Sequence, residues 1–223
     1  MKKLLYLCLV GVLCFTLVGC GNKDNNNNNN ENGNNNNGGA FEYGEDFINK
    51  NLKGDFWLIY KITHYEGGDR DSRTIEIRKT DKGYFFATSD DEDGILFIKN
   101  GDVYDWYGYS DGVYKSIGLP MEKEAVEGMM AGLTMYMSGY AAYDSMLNKT
   151  GSDTVAGRSC DKFAMDFSYP YANYKYKHTY CIDKATGVGL KLTVEAQSGG
   201  QKAGYEFEAT KFQTSGVTLP EYE

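Results

Sequence analysis

Four side chains beyond residue 40 have the widest chemical range: Cys160, Cys181, His64 and His178. A catalytic thiol needs a Cys-x-x-Cys partner or an orienting base beside it, and neither spacing occurs. The histidines fall in separate strand-like segments, so no serine–histidine or cysteine–histidine set is suggested. No phosphate loop, dinucleotide glycine pattern or zinc spacing is present either. The sequence therefore reads as a protein that is not an enzyme and needs no cofactor.

Two other groups could hold a metal. In "SDDEDGILFIKN" (89–100), Asp91, Asp93 and Gly94 match the third, fifth and sixth places of a calcium loop. Serine stands at the first place, and asparagine stands at the twelfth, where a bidentate glutamate belongs. The segment reads as an acidic turn between strands, with calcium at 90–93 left open. Six of the eight methionines lie in 121–147. Thioethers suit Cu(I), but the segment contains no histidine or cysteine. Methionine is also an adaptable filler of cores and of apolar binding surfaces, and that is the expected role, with no metal.

Aromatic residues are the remaining candidates. "FSYPYANYKYKHTYC" (167–181) and "VYDWYGYSDGVY" (103–114) crowd tyrosines into short stretches. In the second, alternation puts Tyr104 and Trp106 on one face and Tyr107 and Tyr109 on the other. Both faces can be buried only if the helix or a ligand covers one of them. Tyr169 and Tyr171 sit at a hairpin tip and are expected to be exposed.

The elements that must position these groups begin after a processing signal. Residues 1–20, "MKKLLYLCLVGVLCFTLVGC", have a charged start and an apolar run too short to span a bilayer comfortably. The run ends in "LVGC", which resembles the lipobox of bacterial lipoproteins. The resemblance implies cleavage before Cys20, acylation of that cysteine and a membrane anchor outside the cytoplasm, facing the periplasm or the cell surface. Cys8 and Cys14 would leave with the signal, so Cys160 and Cys181 form one even pair in an exported domain, most simply a disulfide. Residues 21–39 are asparagine- and glycine-rich and read as a disordered tether with a root-mean-square span of roughly 25 Å.

Residues 40–223 are one domain's worth of chain. The whole sequence carries a net charge of −8, and losing Lys2 and Lys3 makes it more acidic still. That balance argues against nucleic acid and against lying flat on anionic lipid. From Phe56 onward, two-residue alternation broken by turn residues predicts a mainly β (α+β) fold: an antiparallel meander. After Pro120 the period changes. Apolar residues at Ala125, Met129, Leu133, Met137, Tyr140 and Leu147 predict one long helix over 121–147. Gly128, Gly132 and Gly139 within it imply close packing, since each weakens a helix by about 1 kcal/mol relative to alanine.

The strands resume at Thr154. A Cys160–Cys181 pair would set Asp166 opposite Lys175 on a polar face. It would also set Phe163 opposite His178, Met165 opposite Tyr176 and Phe167 opposite Tyr174 on an apolar one. Val188, Leu190, Leu192 and Val194 join that inner face, as do Tyr205 and Phe207.

"CIDKATGVGLKLTVE" and, before it, "VAGRSCDKFAMDF" resemble the strand–turn–strand of LolA-like periplasmic lipoprotein and lipid carriers. Cysteine stands at 181 where that family has an aromatic, and glycine stands at 189 where it has proline. The resemblance implies a curved half-barrel wrapped on helices around an apolar cavity that takes acyl chains. On this reading the ligand-lining residues are Met129, Leu133, Met137, Tyr140, Phe163, Met165, Phe167, Tyr174, Tyr176 and Leu192. The rival reading is a surface interaction module that touches glycan or protein through Tyr104, Trp106, Tyr169 and Tyr171.

Overall fold

The alternation in "FWLIYKITHY" is realised as a strand whose even-numbered residues Phe56, Leu58 and Tyr60 are buried. The computed structural model describes residues 41–89, 91–169, 174–198 and 200–223; at 45, 91–93, 133–135, 167, 169 and 174 it describes the backbone alone. Among these residues eleven strands form one antiparallel sheet. They are β1 (Phe56–Glu66), β2 (Asp69–Thr80), β3 (Gly83–Thr88), β4 (Asp91–Asn100), β5 (Val103–Ser110), β6 (Val113–Glu122), β7 (Asn148–Val155), β8 (Arg158–Tyr169), β9 (Tyr174–Asp183), β10 (Gly189–Ser198) and β11 (Gln201–Gln213). The order is β6-β5-β4-β3-β2-β1-β11-β10-β9-β8-β7, two meanders joined where β1 pairs with β11.

Helix α1 (Glu45–Asn51) precedes the sheet. Between β6 and β7 lie helix α2 (Lys123–Ser138) and a 3-10 segment, Gly139–Met146. The long methionine-rich helix expected over 121–147 is therefore corrected. Met121 and Glu122 belong to β6, and the α-helical ladder ends at Ser138. In its first half the buried stripe is turned by one residue, with Val126 and Met130 facing the core and Ala125 and Met129 exposed, whereas Met137 and Tyr140 are buried as expected. Gly128, Gly132 and Gly139 have nothing within 4 Å of where a Cβ would stand, so close packing does not explain them. No helix among the described residues is long and apolar enough to cross a membrane.

The sheet is open and curled. Helix α2 touches β5 and β6 near one end of the order and β10 in the other half. In a flat sheet seven strand steps would separate β6 from β10 by about 34 Å, more than a helix about 24 Å long and 10 Å wide could bridge sideways. Curling brings Phe56, Leu58, Tyr60, Ile77, Phe97 and Tyr104 onto one concave face against the helix.

The aromatic β5 divides as its alternation requires. Tyr104 and Trp106 join the concave core, and Tyr107 turns to the convex face. A strap of the last ten residues covers that second face at Tyr107, while Tyr109 stays 44% exposed. Arg78 Nη1 donates to the Thr218 carbonyl at 3.0 Å, and Leu219 packs with Phe85, Leu96 and Tyr114. Tyr222 then meets Tyr107 edge-on at 5.2 Å, and the Glu223 amide donates to the Tyr114 carbonyl.

The β8–β9 hairpin has the expected faces but a different register. Cys160 lies opposite Asp183, Lys162 opposite Cys181, Phe163 opposite Tyr180, Met165 opposite His178, and Asp166 opposite Lys177. The offset from the expected pairing is two residues, which preserves every face because the strand period is two. It leaves the cysteines diagonal to each other, and both are buried free thiols. Diagonal neighbours stand about 7–8 Å apart, beyond the usual disulfide span. The expected disulfide is accordingly not formed.

Candidate functional site: the concave face

Strand pairing aligns inward residues of four or five strands into rows. One row runs Ile62, Phe207, Leu192, Tyr180 and Phe163. The next runs His64, Tyr205, Val194, His178 and Met165. A third runs Glu66, Ala203, Ala196 and Tyr176, and on the β2 side the three rows meet Arg73, Asp71 and Asp69. From β11 to β8 these side chains are apolar or aromatic, so that part of the concave face stays greasy from one row to the next, while its β1–β2 end is charged.

The cover over this face is partial. Tyr136 of α2 stacks on Phe207 at 5.3 Å, and Tyr143 of the 3-10 segment meets His178 edge-on at 5.6 Å. Tyr140 is buried beside Tyr180, and Phe41 closes over Tyr140 and Phe163. Beyond these contacts the face opens: Ile62, Val194, Ala196 and Tyr176 are half-buried, and Tyr205 is 42% exposed. His64 lies against the Tyr205 ring at 4.9 Å. A cleft of about 310 Å³ at the end of the β1–β2 hairpin is lined by His64, Glu66, Asp69, Arg70 and Asp71. A second cleft, of about 390 Å³, is lined by Asp166, Ser168, Lys175, Tyr176, Lys177, Glu195 and Gln197, most of them on the convex side.

The chemistry available here is that of a binding surface. His178 Nδ1 lies 3.3 Å from the Tyr180 hydroxyl, and burial holds the imidazole below its ordinary value, which favours its neutral form. Burial pushes the Tyr180 and Tyr140 hydroxyls well above theirs. Burial, followed by the Asp183 carboxylate, pushes the Cys160 thiol up to about 12, which removes its nucleophilic form. Among the described residues no cluster of histidine, cysteine and carboxylate side chains could hold a metal ion.

The sequence-derived lining residues separate into groups. Phe163, Met165, Leu192 and Tyr176 lie on the concave rows. Met137 and Tyr140 are core beneath the cover, with the Tyr140 hydroxyl donating to the Gly187 carbonyl. Met129 points to solvent at 41% exposure, a correction that follows from the rotation of α2. The side chains of Leu133, Phe167 and Tyr174 lie outside the described residues. In the rival patch Tyr104 is buried and Trp106 is half-buried on Phe97. The side chain of Tyr169 and all of Tyr171, like the loop position 90 and the signal, Cys20 and tether, lie outside the described residues. Ile62, Tyr136 and Val194 complete the face. Val194 and its inward direction were legible in the alternation, but the pairing of β1 with β11 that assembles the rows was not.

The motif "DKATGVG" is a docking point for the elements that roof the face. Asp183 accepts from the Thr186 amide at 3.0 Å and from its hydroxyl at 2.6 Å. Gly187 has φ +77°, and a Cβ there would stand 2.7 Å from the Phe47 ring of α1. Gly189 has the Met137 carbonyl 3.3 Å from where its Cβ would be, and its own carbonyl accepts the Tyr60 hydroxyl. Glycine at 189 thus lets α2 and β1 approach the same backbone.

No family model matches the sequence, and no curated protein matches it. Solved structures are similar to it. MucB is 16% identical with a TM-score of 0.38, over 78% of this chain and 59% of that one. NE2245, a LolA superfamily protein from Nitrosomonas europaea, is 6% identical with a TM-score of 0.27, over 79% and 95%. An outer membrane lipoprotein-sorting protein domain from Vibrio parahaemolyticus is 12% identical with a TM-score of 0.28, over 78% and 92%. This chain spans about three fifths of the MucB chain it matches.

Proposed function

We propose that this domain binds an apolar ligand of the acyl-chain or lipid class on its concave face, without catalysis, while held at a membrane by acylated Cys20. The observation that carries the proposal is the run of aligned apolar rows that continues past the aromatic cover at Tyr136 and Tyr143 to the exposed Tyr205. A closed dry core would end its apolar rows where the cover ends, because exposed apolar surface gains nothing in folding. Among the structures with a similar fold, the lipoprotein-sorting domain and the LolA superfamily protein agree with this reading by description, but the rows themselves support it.

Titration of a fluorescent fatty acid into the domain tests the proposal. Val194→Asp and Tyr205→Asp place charge on the open rows, and each is expected to weaken binding at least tenfold while circular dichroism is unchanged. Binding that is equal in both variants would remove the concave face as the site. The rival of a protein or glycan partner engaged through surface aromatics has less support, since Tyr104 is buried.

A further inference from the structure

The β5–β6 ladder breaks at one place. Asp105 pairs with Pro120 and Tyr107 with Ser116, so Ile117, Gly118 and Leu119 are extruded from the ladder. Gly118 has φ +73°, a conformation that suits glycine and turns the bulge outward. Ile117 is 43% exposed and Leu119 is 60% exposed, and Pro120 beside them is exposed too. Bulges and prolines on edge strands usually keep another chain from pairing there, and charged side chains usually accompany them. Here the extruded residues are aliphatic, which edge protection does not require. The bulge leads into α2, whose sequence from Gly128 to Ser138 contains no charge and whose outward side includes the exposed Met129.

We propose that the Ile117–Leu119 bulge is a membrane contact that dips into the interface of the bilayer holding the tether. This rests in part on the anchor reading given above. On that reading twenty residues, 21–40, join acylated Cys20 to the described domain, and a flexible chain of that length has a root-mean-square span of roughly 25 Å. At that length of attachment a protruding pair of aliphatic side chains is within reach of the lipid. The flanking charges favour this occupant over an anionic surface. Lys115 is engaged by Asp111 at 3.2 Å and Lys123 lies 3.9 Å from Glu127, while Glu122 and Glu124 are exposed. The contact is therefore made by apolar insertion into zwitterionic lipid, not by charge.

The test separates the contact from the anchor. The domain from residue 41 onward contains the whole core, so it can be held on phosphatidylcholine vesicles by an amino-terminal histidine tag and nickel-chelating lipid. Leu119→Trp and, separately, Ile117→Trp report insertion through quenching by brominated phosphatidylcholine. The expected result is at least twofold quenching of the added tryptophan, unchanged by salt and lessened when phosphatidylglycerol is included. Quenching no greater than that of Trp57 and Trp106 in the unsubstituted domain would overturn the proposal. Quenching that grows with phosphatidylglycerol would overturn it as well. Ile117→Asp with Leu119→Asp should abolish contact but leave fatty-acid binding intact, so this proposal and the concave-face reading can fail separately.

Discussion

Arg158 grips Asp183 with two nitrogens, Nε at 3.1 Å and Nη2 at 2.7 Å, and the carboxylate they hold is almost wholly buried. The pair joins the start of β8 to the end of β9. Because Asp183 also accepts from Thr186, it ties the sheet to the turn that receives α1 and the 3-10 segment. Truncating Arg158 would leave a buried charge short of its counter-ion, which usually costs about 3 kcal/mol. Arg158→Ala should lower urea-denaturation stability by about that amount. A change under ~0.5 kcal/mol would show the pair to be incidental.

The exposed glycines of α2 predict the opposite sign. Nothing stands near the missing Cβ atoms of Gly128 and Gly132, so alanine at either should add about 0.5–1 kcal/mol through helix propensity. Thermal melts of the two single variants check this. Destabilisation by either would mean that some contact requires glycine there.

Acid should loosen the domain in two ranges. Burial holds the His178 pKa below its ordinary 6.5. For Asp161, burial acts upward, but hydrogen bonds from Lys149, Tyr43 and Lys184 outweigh it and hold the carboxyl below its ordinary 3.8. Each group binds its proton more readily unfolded than folded, so each contributes stability that is complete above its ordinary value and lost as pH falls toward the folded one. Melting temperature should therefore decline first below about pH 6.5 and again below about pH 4. His178→Gln should flatten the first decline and leave the second. A first decline that survives the substitution would point to another group.

The cysteines make a simple count. With Lys162 and Asp183 opposite them and not each other, both thiols should be free. Alkylation after unfolding of the domain, purified from an oxidising compartment, should add two groups by mass. Zero groups would place Cys160 against Cys181 and shift the β8–β9 register by two.

What the sequence carried was local. Alternation identified 56–65 as a strand and placed Leu192 and Val194 on the inner face, because one side of the sheet is buried there. The hairpin faces were right while its partners were two residues out, since faces depend only on parity and register depends on the four-residue connection at 170–173. The helix was read as starting too early, since Met121 and Glu122 complete β6 by pairing with Tyr104 and Val103, and its stripe was one residue off at 125 and 129 but right at Met137 and Tyr140. The β1–β11 pairing, which assembles Ile62, Phe207 and Leu192 into one row, joins segments about 145 residues apart, and nothing local encodes it. The strap over Tyr107 was hidden in the same way, in a tail whose composition reads as coil.

The central claim is that the concave rows hold an apolar ligand, and native mass spectrometry of the domain from residue 41, purified from bacteria without detergent, tests it most directly. The account predicts discrete added masses of the acyl or lipid class that vanish on organic extraction, return on incubation with the extract and are reduced in Val194→Asp. A single bare mass that stays unchanged after incubation with phospholipid and fatty acid would contradict it.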